Sequence, residues 1–389
     1  MRLLLVAPSR SYRVGDFLDA ARAVGCEVVV AVDAVSAIPD SFISVSFDEP
    51  AAAATQLVAL VGGVDAVVGT DGPAVAVAAE TARLLGLSTN PAGAMMVASN
   101  KHLQRQAAGA AGVPQPVFSL VEGTDLPPWS TFPAVVKPLD RSASQGVVRV
   151  DSSVELPRAV HTVRTIVGER SPLVVEAFVP GIEVAVEGVL RGGRLEVVAV
   201  FDKPDTPPGP TFPETLLVSP ARLSPGASER VVDVARCAAA ATGLVEGPVH
   251  VECKVDGDQV WFLELAARTI GGLCGRALDR GGLSLEELVI RHALGLPSPP
   301  TPDVTACGVL MLPVHRSGRV EAVGGVESAR VVAGVTGVVM TVGAGQDVLA
   351  LPAGDRYLGF VFARARTADE VEAALRTAWA NIEVVISVW

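Results

Sequence analysis

Four lysines stand among 27 arginines in this 389-residue chain, and all four fall between positions 101 and 254. A basic position here is arginine by default, so each lysine selects a compact, flexible ammonium over a planar fork. Lys101 opens a helix directly after Asn100, where a cation opposes the helix dipole and stability alone disfavours it. Lys137 ends the strand "FPAVVK" and is followed by "PLDRSASQGVVRV", a small-residue loop with Ser142, Ser144 and Gly146. A strand, a lysine, a flexible loop and another strand suit phosphate wrapping by backbone N–H groups. A serine-rich hairpin turn is the plain alternative.

The acidic residues point to a second chemistry. "VHVECKV" and "QVWFLEL" read as a hairpin across "DGD", carrying Glu252 and Glu264. With the three-residue loop Asp256, Gly257 and Asp258, Val255 pairs with Gln259, Glu252 faces Phe262 and Glu264 faces His250. The two acids then share a face as diagonal neighbours, roughly 7 Å apart at Cβ. A two-residue Asp-Gly turn would put them on opposite faces. Adjacent carboxylates repel unless a cation lies between them, and oxygen ligands without His or Cys favour Mg²⁺ or Mn²⁺. One solvent-facing Glu, with the other neutralised by Arg268, is the structural alternative. The Arg268 fork suits a substrate carboxylate or phosphate equally well, and Gly271 and Gly272 follow it.

In "LVVEAFVPGIEVAVEGVL" (173–190), Glu176 closes one strand, and Glu183 and Glu187 share a face of the next while Val184 and Val186 point the other way. Acceptors there would fit a purine amino group and ribose hydroxyls; a polar outer face on an edge strand is the alternative.

These side chains need a scaffold. "RLLLVAP" (2–8), "EVVVAVD" (27–33) and "DAVVGTD" (65–71) alternate with helical patterns, which predicts a parallel sheet covered by helices. The turn after the first strand holds the single glycine Gly15 and no dinucleotide fingerprint, and no P-loop occurs. Residues 132–200 read as strand-rich, 226–243 as helical, and the proline-rich stretch 205–225 as a long functional loop. "LPSPPTP" leads into a Val- and Gly-rich β segment and a final helix at 367–381.

Length fits two or three domains, and 50% hydrophobic residues supply ample core. A net charge of −11 without a basic cluster argues against a nucleic-acid partner. Charge-free runs at 84–100 and 331–346 are too short to span a membrane, and five apolar residues before Pro8 are too few for a signal peptide, so a soluble, cytoplasmic protein is expected. Five scattered cysteines form neither a disulfide framework nor a zinc motif.

In order along the chain, "SNK", "FPAVVKP…SASQGV", "VVEAFVPGIEVAVEG", "GPVHVECKV" and "VWFLELAARTIGG" resemble the ATP-grasp superfamily. Within it the chain is most similar to the L-amino acid ligase branch of carboxylate-amine ligases, with biotin carboxylase-like enzymes more distant. The resemblance implies an α/β fold in three parts. These are a Rossmann-like domain (1–95), an ATP-grasp domain (96–300) with a nucleotide lid at about 132–200, and a C-terminal β-rich segment (301–389). It implies that Lys101 and Lys137 hold ATP phosphates, Lys137 also as a catalytic group, under a mobile loop of Ser142, Ser144, Gln145 and Gly146. Glu176, Phe178 and Val179 correspond to the adenine hinge and Glu183 to the ribose acid. Glu252 and Glu264 correspond to the Mg²⁺-bridging acids. Arg268, the second catalytic residue, corresponds to the arginine holding the carboxylate substrate, with Gly271 and Gly272 beside it. Many relatives read "E-x-N-P-R" where this chain has "ELAAR", so Ala266 replaces a common third ligand and the number of ions stays open.

The activity implied is ATP-dependent amide formation from a small carboxylic acid and an amine through an acyl phosphate, with a homodimer expected from the family alone. The alternatives are a carboxylase-type or purine-pathway enzyme using bicarbonate or a nucleotide, and an ATP-binding protein without turnover. The roles of Lys203, Phe212 and Glu214 stay open.

Overall fold

The structure, a computed structural model, describes residues 1–33, 42–123, 126–205, 207, 209–278, 282–298 and 305–389. The expected boundary at 300/301, most of "LPSPPTP", and positions 206 and 208 of the proline-rich loop lie outside the described residues.

The amino-terminal third alternates as expected. It runs β1 (Arg2–Ala7), α1 (Val14–Val24), β2 (Glu27–Val32), β3 (Phe42–Ser44), α2 (Pro50–Val61), β4 (Ala66–Gly69) and α3 (Gly72–Leu84). All pairings in its sheet, ordered β3-β2-β1-β4, are parallel. β1 is buried along its length because both faces are covered, which is why it reads as an unbroken aliphatic run. Gly15 lies in the first turn of α1 rather than in the preceding turn.

Two helices follow, α4 (Ala92–Ala98) and α5 (Lys101–Ala110). Asn100 caps α5, its side-chain oxygen accepting from the Leu103 N–H at 3.1 Å. Next come β5 (Phe118–Val121), β6 (Ala134–Pro138), β7 (Val148–Val150), α6 (Leu156–Val167) and β8 (Leu173–Ala177). They form a four-stranded antiparallel sheet, β5-β8-β6-β7, backed by α6. The sequence reading of 132–200 as strands and turns missed α6, whose buried Leu156, Ala159, Val160 and Val163 follow helical spacing.

Most of the remaining strands build the central layer. β9 (Ile182–Arg191), β10 (Arg194–Lys203), β11 (Leu216–Ser219), α7 (Pro225–Thr242), β12 (Gly247–Asp256) and β13 (Gln259–Ala266) lead through a 3₁₀ turn (Cys274–Leu278) to α8 (Leu285–Ala293). Then come β14 (Ala306–Leu312), β15 (Gly318–Gly324), α9 (Val326–Arg330), β16 (Val335–Met340), β17 (Asp347–Val348), β18 (Gly359–Ala365), α10 (Ala368–Asn381) and β19 (Glu383–Ser387). Three of these strands, β15, β17 and β19, form a separate sheet, and the other eight form one sheet, β13-β12-β9-β10-β11-β14-β18-β16. β9 and β10, placed with the lid by the sequence reading, therefore belong to this sheet, and β9 is an interior strand rather than an edge. Val184, Val186, Val251, Cys253 and Val255 turn their apolar face onto α7. The opposite face of β9 and β12 carries the acids.

Candidate active site

Two β-bulges decide which side chains reach that face. β9 and β10 are joined by the two-residue turn Gly192-Gly193, both at positive φ (54° and 79°). If the starting register continued, Asp202 would face Glu183. An extra residue at Val198 shifts the pairing, and Lys203 stands opposite Glu183 instead. The hairpin β12–β13 repeats the device. Asp256 pairs with Gln259, so the loop is Gly257-Asp258 and not the three residues 256–258. That register alone would put Glu252 and Glu264 on opposite faces. The extra residue Leu263 restores them to one face, directly opposite each other rather than diagonal. Leu263 is held by its carbonyl, which accepts from Arg105 Nη2 at 2.5 Å.

Most of the predicted residues gather on one cavity of about 470 Å³. It is lined by Lys101, Lys137, Ser142, Ser144, Glu176, Phe178, Val179, Glu183, Glu252, Glu264, Arg268, Gly271 and Gly272. Lys203, Lys254, Phe212 and Glu214 line it as well, so all four lysines of the chain meet there. Each is paired with a glutamate. Lys101 Nζ lies 3.3 Å from Glu264 and also donates to the Arg141 carbonyl, which offsets its place at a helix N-terminus. Lys137 lies 2.8 Å from Glu176, and Lys254 3.5 Å from Glu183. Lys203 Nζ donates to Glu183, Glu214 and Glu252 at 2.7, 2.5 and 2.6 Å. Burial opposes the Lys203 charge, yet these three carboxylates hold it well above the usual ammonium range.

Glu176 is buried, with Arg105 Nε at 2.8 Å on one oxygen and Lys137 on the other. Desolvation works against its charge, but the guanidinium and the ammonium prevail and hold the carboxyl at about 2. Its carboxylate is thus engaged by two cations, and the neighbouring Phe178 and Val179 line the cavity. Phe212 stacks on Phe178 with ring centroids 6.4 Å apart, and the Arg149 guanidinium lies 4.4 Å over the Phe178 ring.

His250 sits between Glu187 and Glu252, Nδ1 against Glu187 Oε1 and Nε2 3.3 Å from Glu252 Oε1. Burial disfavours its charge, but the two carboxylates raise it to about 9, and the same pair of cations, Lys203 and His250, keeps Glu252 well below the usual carboxylate range. Both bonds to Glu252 land on Oε1, which leaves Oε2 free among the described residues.

Gln145 and Gly146 depart from the expected loop. The Gly146 N–H donates to the Pro352 carbonyl at 2.8 Å and the Gln145 side-chain amide to Ala353 at 2.9 Å. The loop is thereby fastened to the segment before β18, and Ala143 and Ser144 adopt positive φ (54° and 56°). In this conformation the Gly146 N–H faces protein rather than the cavity.

Arg268 Nη1 donates to the Thr269 carbonyl at 2.8 Å and its charge helps lower Asp71. Gly271 is open, whereas a Cβ on Gly272 (φ 64°) would lie 2.8 Å from the Phe360 ring. Arg13, not singled out in the sequence, is 2% exposed and reaches the Thr70 carbonyl, Asp71 and the Thr269 hydroxyl.

Residues 130–277 match the ATP-grasp domain family, and residues 310–387 match L-amino acid ligase C-terminal domain 2. The chain thus contains an ATP-grasp domain. The chain is 28% identical to protein y4rH of Sinorhizobium fredii over 302 residues, 74% of this chain and 61% of that relative, so it spans less than two thirds of the relative's length. Its fold is similar to a crystal structure of an L-amino acid ligase from Bacillus licheniformis (TM-score 0.85, 24% identity, 99% of both chains). It is also similar to carboxyaminoimidazole ribonucleotide synthase from Aspergillus clavatus complexed with ATP (TM-score 0.75, 18% identity, 97% of both chains). At these identities the structural likeness is one of fold. Within the ATP-grasp fold, Glu252 and Glu264 offer only hard oxygen donors, with one Glu252 oxygen open, a set that fits Mg²⁺ or Mn²⁺. Among the described residues no helix is long and apolar enough to cross a membrane.

Proposed function

We propose that the protein is an ADP-forming carboxylate-amine ligase that joins a small carboxylic acid, amino acid-like in character, to an amine. One observation carries this reading. Every lysine of the chain is paired with a glutamate on the wall of one cavity, and Arg268 adjoins the same wall. A site that must hold a triphosphate, divalent ions and an anionic acceptor needs interleaved charges that can exchange partners.

In this reading the γ-phosphorus to bridging-oxygen bond of ATP breaks as an oxygen of the acid's carboxylate bonds to phosphorus, and ADP leaves. The amine then forms the amide bond and displaces phosphate. Mg²⁺ held by Glu252 and Glu264 would supply charge neutralisation at the triphosphate. Lys101 and Lys137 hold phosphate oxygens, Arg268 orients the acid, and Phe178, Val179 and Phe212 enclose the base, with Glu183 beside the ribose. The loop from Ser142 to Gly146 shields the acyl phosphate from water. No protein nucleophile is needed, since positioning and charge do the work.

Phosphate release measured over pairs of amino acids and amines, with mass spectrometry of the products, tests the reading. An ATP-dependent amide product is expected; ADP release that requires bicarbonate and gives no amide would overturn it.

A further inference from the structure

Glu187 is 1% exposed, at the middle of interior strand β9, directly opposite His250 in the β9–β12 register. Its two oxygens point in different directions. Oε1 meets His250 Nδ1, and His250 passes the contact on to Glu252 through Nε2. Oε2 accepts from the Ile270 N–H at 2.9 Å, in the turn that carries Arg268, Gly271 and Gly272. One buried carboxylate therefore braces both halves of the site, the acid that would hold metal and the turn that would hold the acyl substrate. With a carboxylate oxygen against each ring nitrogen, the His250 ring is held from both sides, which fixes its orientation and with it the position of Glu252 Oε1.

We infer that Glu187 is a positioning residue for both the metal-binding Glu252 and the Arg268 turn, acting on the first through His250 and on the second directly at Ile270. The inference rests on the ligase reading above only in taking Glu252 as a ligand of the divalent ion. The two arms make it specific. Glu187→Met, which has no acceptor oxygen, removes both contacts, whereas His250→Gln disturbs the metal arm alone, because Glu187 still reaches Ile270.

Two measurements read the arms separately. Mn²⁺ binding in the presence of ADP, followed by electron paramagnetic resonance, reports the metal arm. Both single variants are expected to weaken it about tenfold or more, as partners that orient a metal ligand commonly do. The double variant should lose no more than the weaker-binding single variant, since the two residues act in one chain. Hydrogen exchange of the Ile270 amide, followed by mass spectrometry on the intact protein, reports the turn. It should speed up at least tenfold in Glu187→Met and stay within about twofold of wild type in His250→Gln. Thermal melts of both variants show whether the fold survives, and Glu187→Asp gives a second, charge-preserving probe should Glu187→Met not fold. Wild-type Mn²⁺ affinity in both variants, additive losses in the double variant, or equal exchange at Ile270 would overturn the inference. If the wild-type protein binds no Mn²⁺ with ADP, the ligase reading fails instead.

Discussion

Two buried cationic centres of this molecule can be set side by side. Lys203 is 4% exposed and meets three carboxylates through one rotating ammonium. Arg13 is 2% exposed and spreads its fork over the Thr70 carbonyl, Asp71 and Thr269, with Glu286 3.8 Å away. Both keep their charge because carboxylates outweigh desolvation. The geometries differ in kind. Arginine's directed donors tie the first sheet to the turn after β13 in one arrangement, whereas an ammonium among three acids can trade one partner for another. At these two centres arginine locks parts together, and lysine presents a charge whose partners can change. Glu176 is where the two kinds meet, with Arg105 on one side and Lys137 on the other.

Four experiments break or sharpen this contrast. Glu264→Gln strikes the exchangeable side. ADP release should fall by about 10³-fold or more, the scale of losing a preorganised charge at a transition state, with an unchanged melting temperature; retained turnover would end its metal role. Arg13→Met strikes the locked side. It removes the cation beside the buried Glu286, takes one of the partners of half-buried Asp71, and leaves the Thr70 carbonyl and the Thr269 hydroxyl without their Arg13 donor, so a chemical denaturation curve should show about 3–5 kcal/mol lost. An Arg13→Met protein of wild-type stability would remove the distinction drawn here.

Glu176 gives a pH test. Its folded value of about 2 lies below the ordinary 4.5, so the stability it contributes is present above about pH 4.5 and is lost as pH falls toward 2. Unfolding free energy between pH 5 and 2 should therefore drop about 3 kcal/mol further in wild type than in Glu176→Gln; parallel acid limbs would contradict the assignment. The smallest effect belongs to Arg149→Ala. Losing the cation over the Phe178 ring should raise the KM for ATP about two- to fivefold with kcat unchanged, as befits a contact of ~0.5–1 kcal/mol.

What the amino-acid sequence disclosed follows the same division. Local rules found the parallel sheet, the helix that opens at Lys101 and the four lysines, because periodicity and composition act over short stretches. The pairing of Glu252 with Glu264 was foreseen on the wrong turn. The shorter Gly257-Asp258 loop and the bulge at Leu263 cancel, and a bulge stabilised by Arg105, more than 150 residues away in sequence, leaves no local trace. Lys203 and Glu214 stayed unassigned for the same reason: the Val198 bulge aims one, and the other comes from a proline-rich stretch with no repeating pattern. The hold on Gly146 by Pro352 depends on two segments about 200 residues apart. Arg13 could have been noticed as a charge beside the end of β1, but only contact with Thr269 reveals its partner.

The continuity of the eight-stranded sheet has an evolutionary consequence. β11 and β14 are hydrogen-bonded neighbours from Leu216↔Leu310 to Ser219↔Cys307, although β11 lies within the first matched portion of the chain and β14 runs into the start of the second at residue 310. Genetic recombination that exchanged one portion for a homologue's would join two unacquainted strand edges down the middle of the protein. A working hybrid would have to inherit both borders together, so the two portions are expected to be handed down as a single unit.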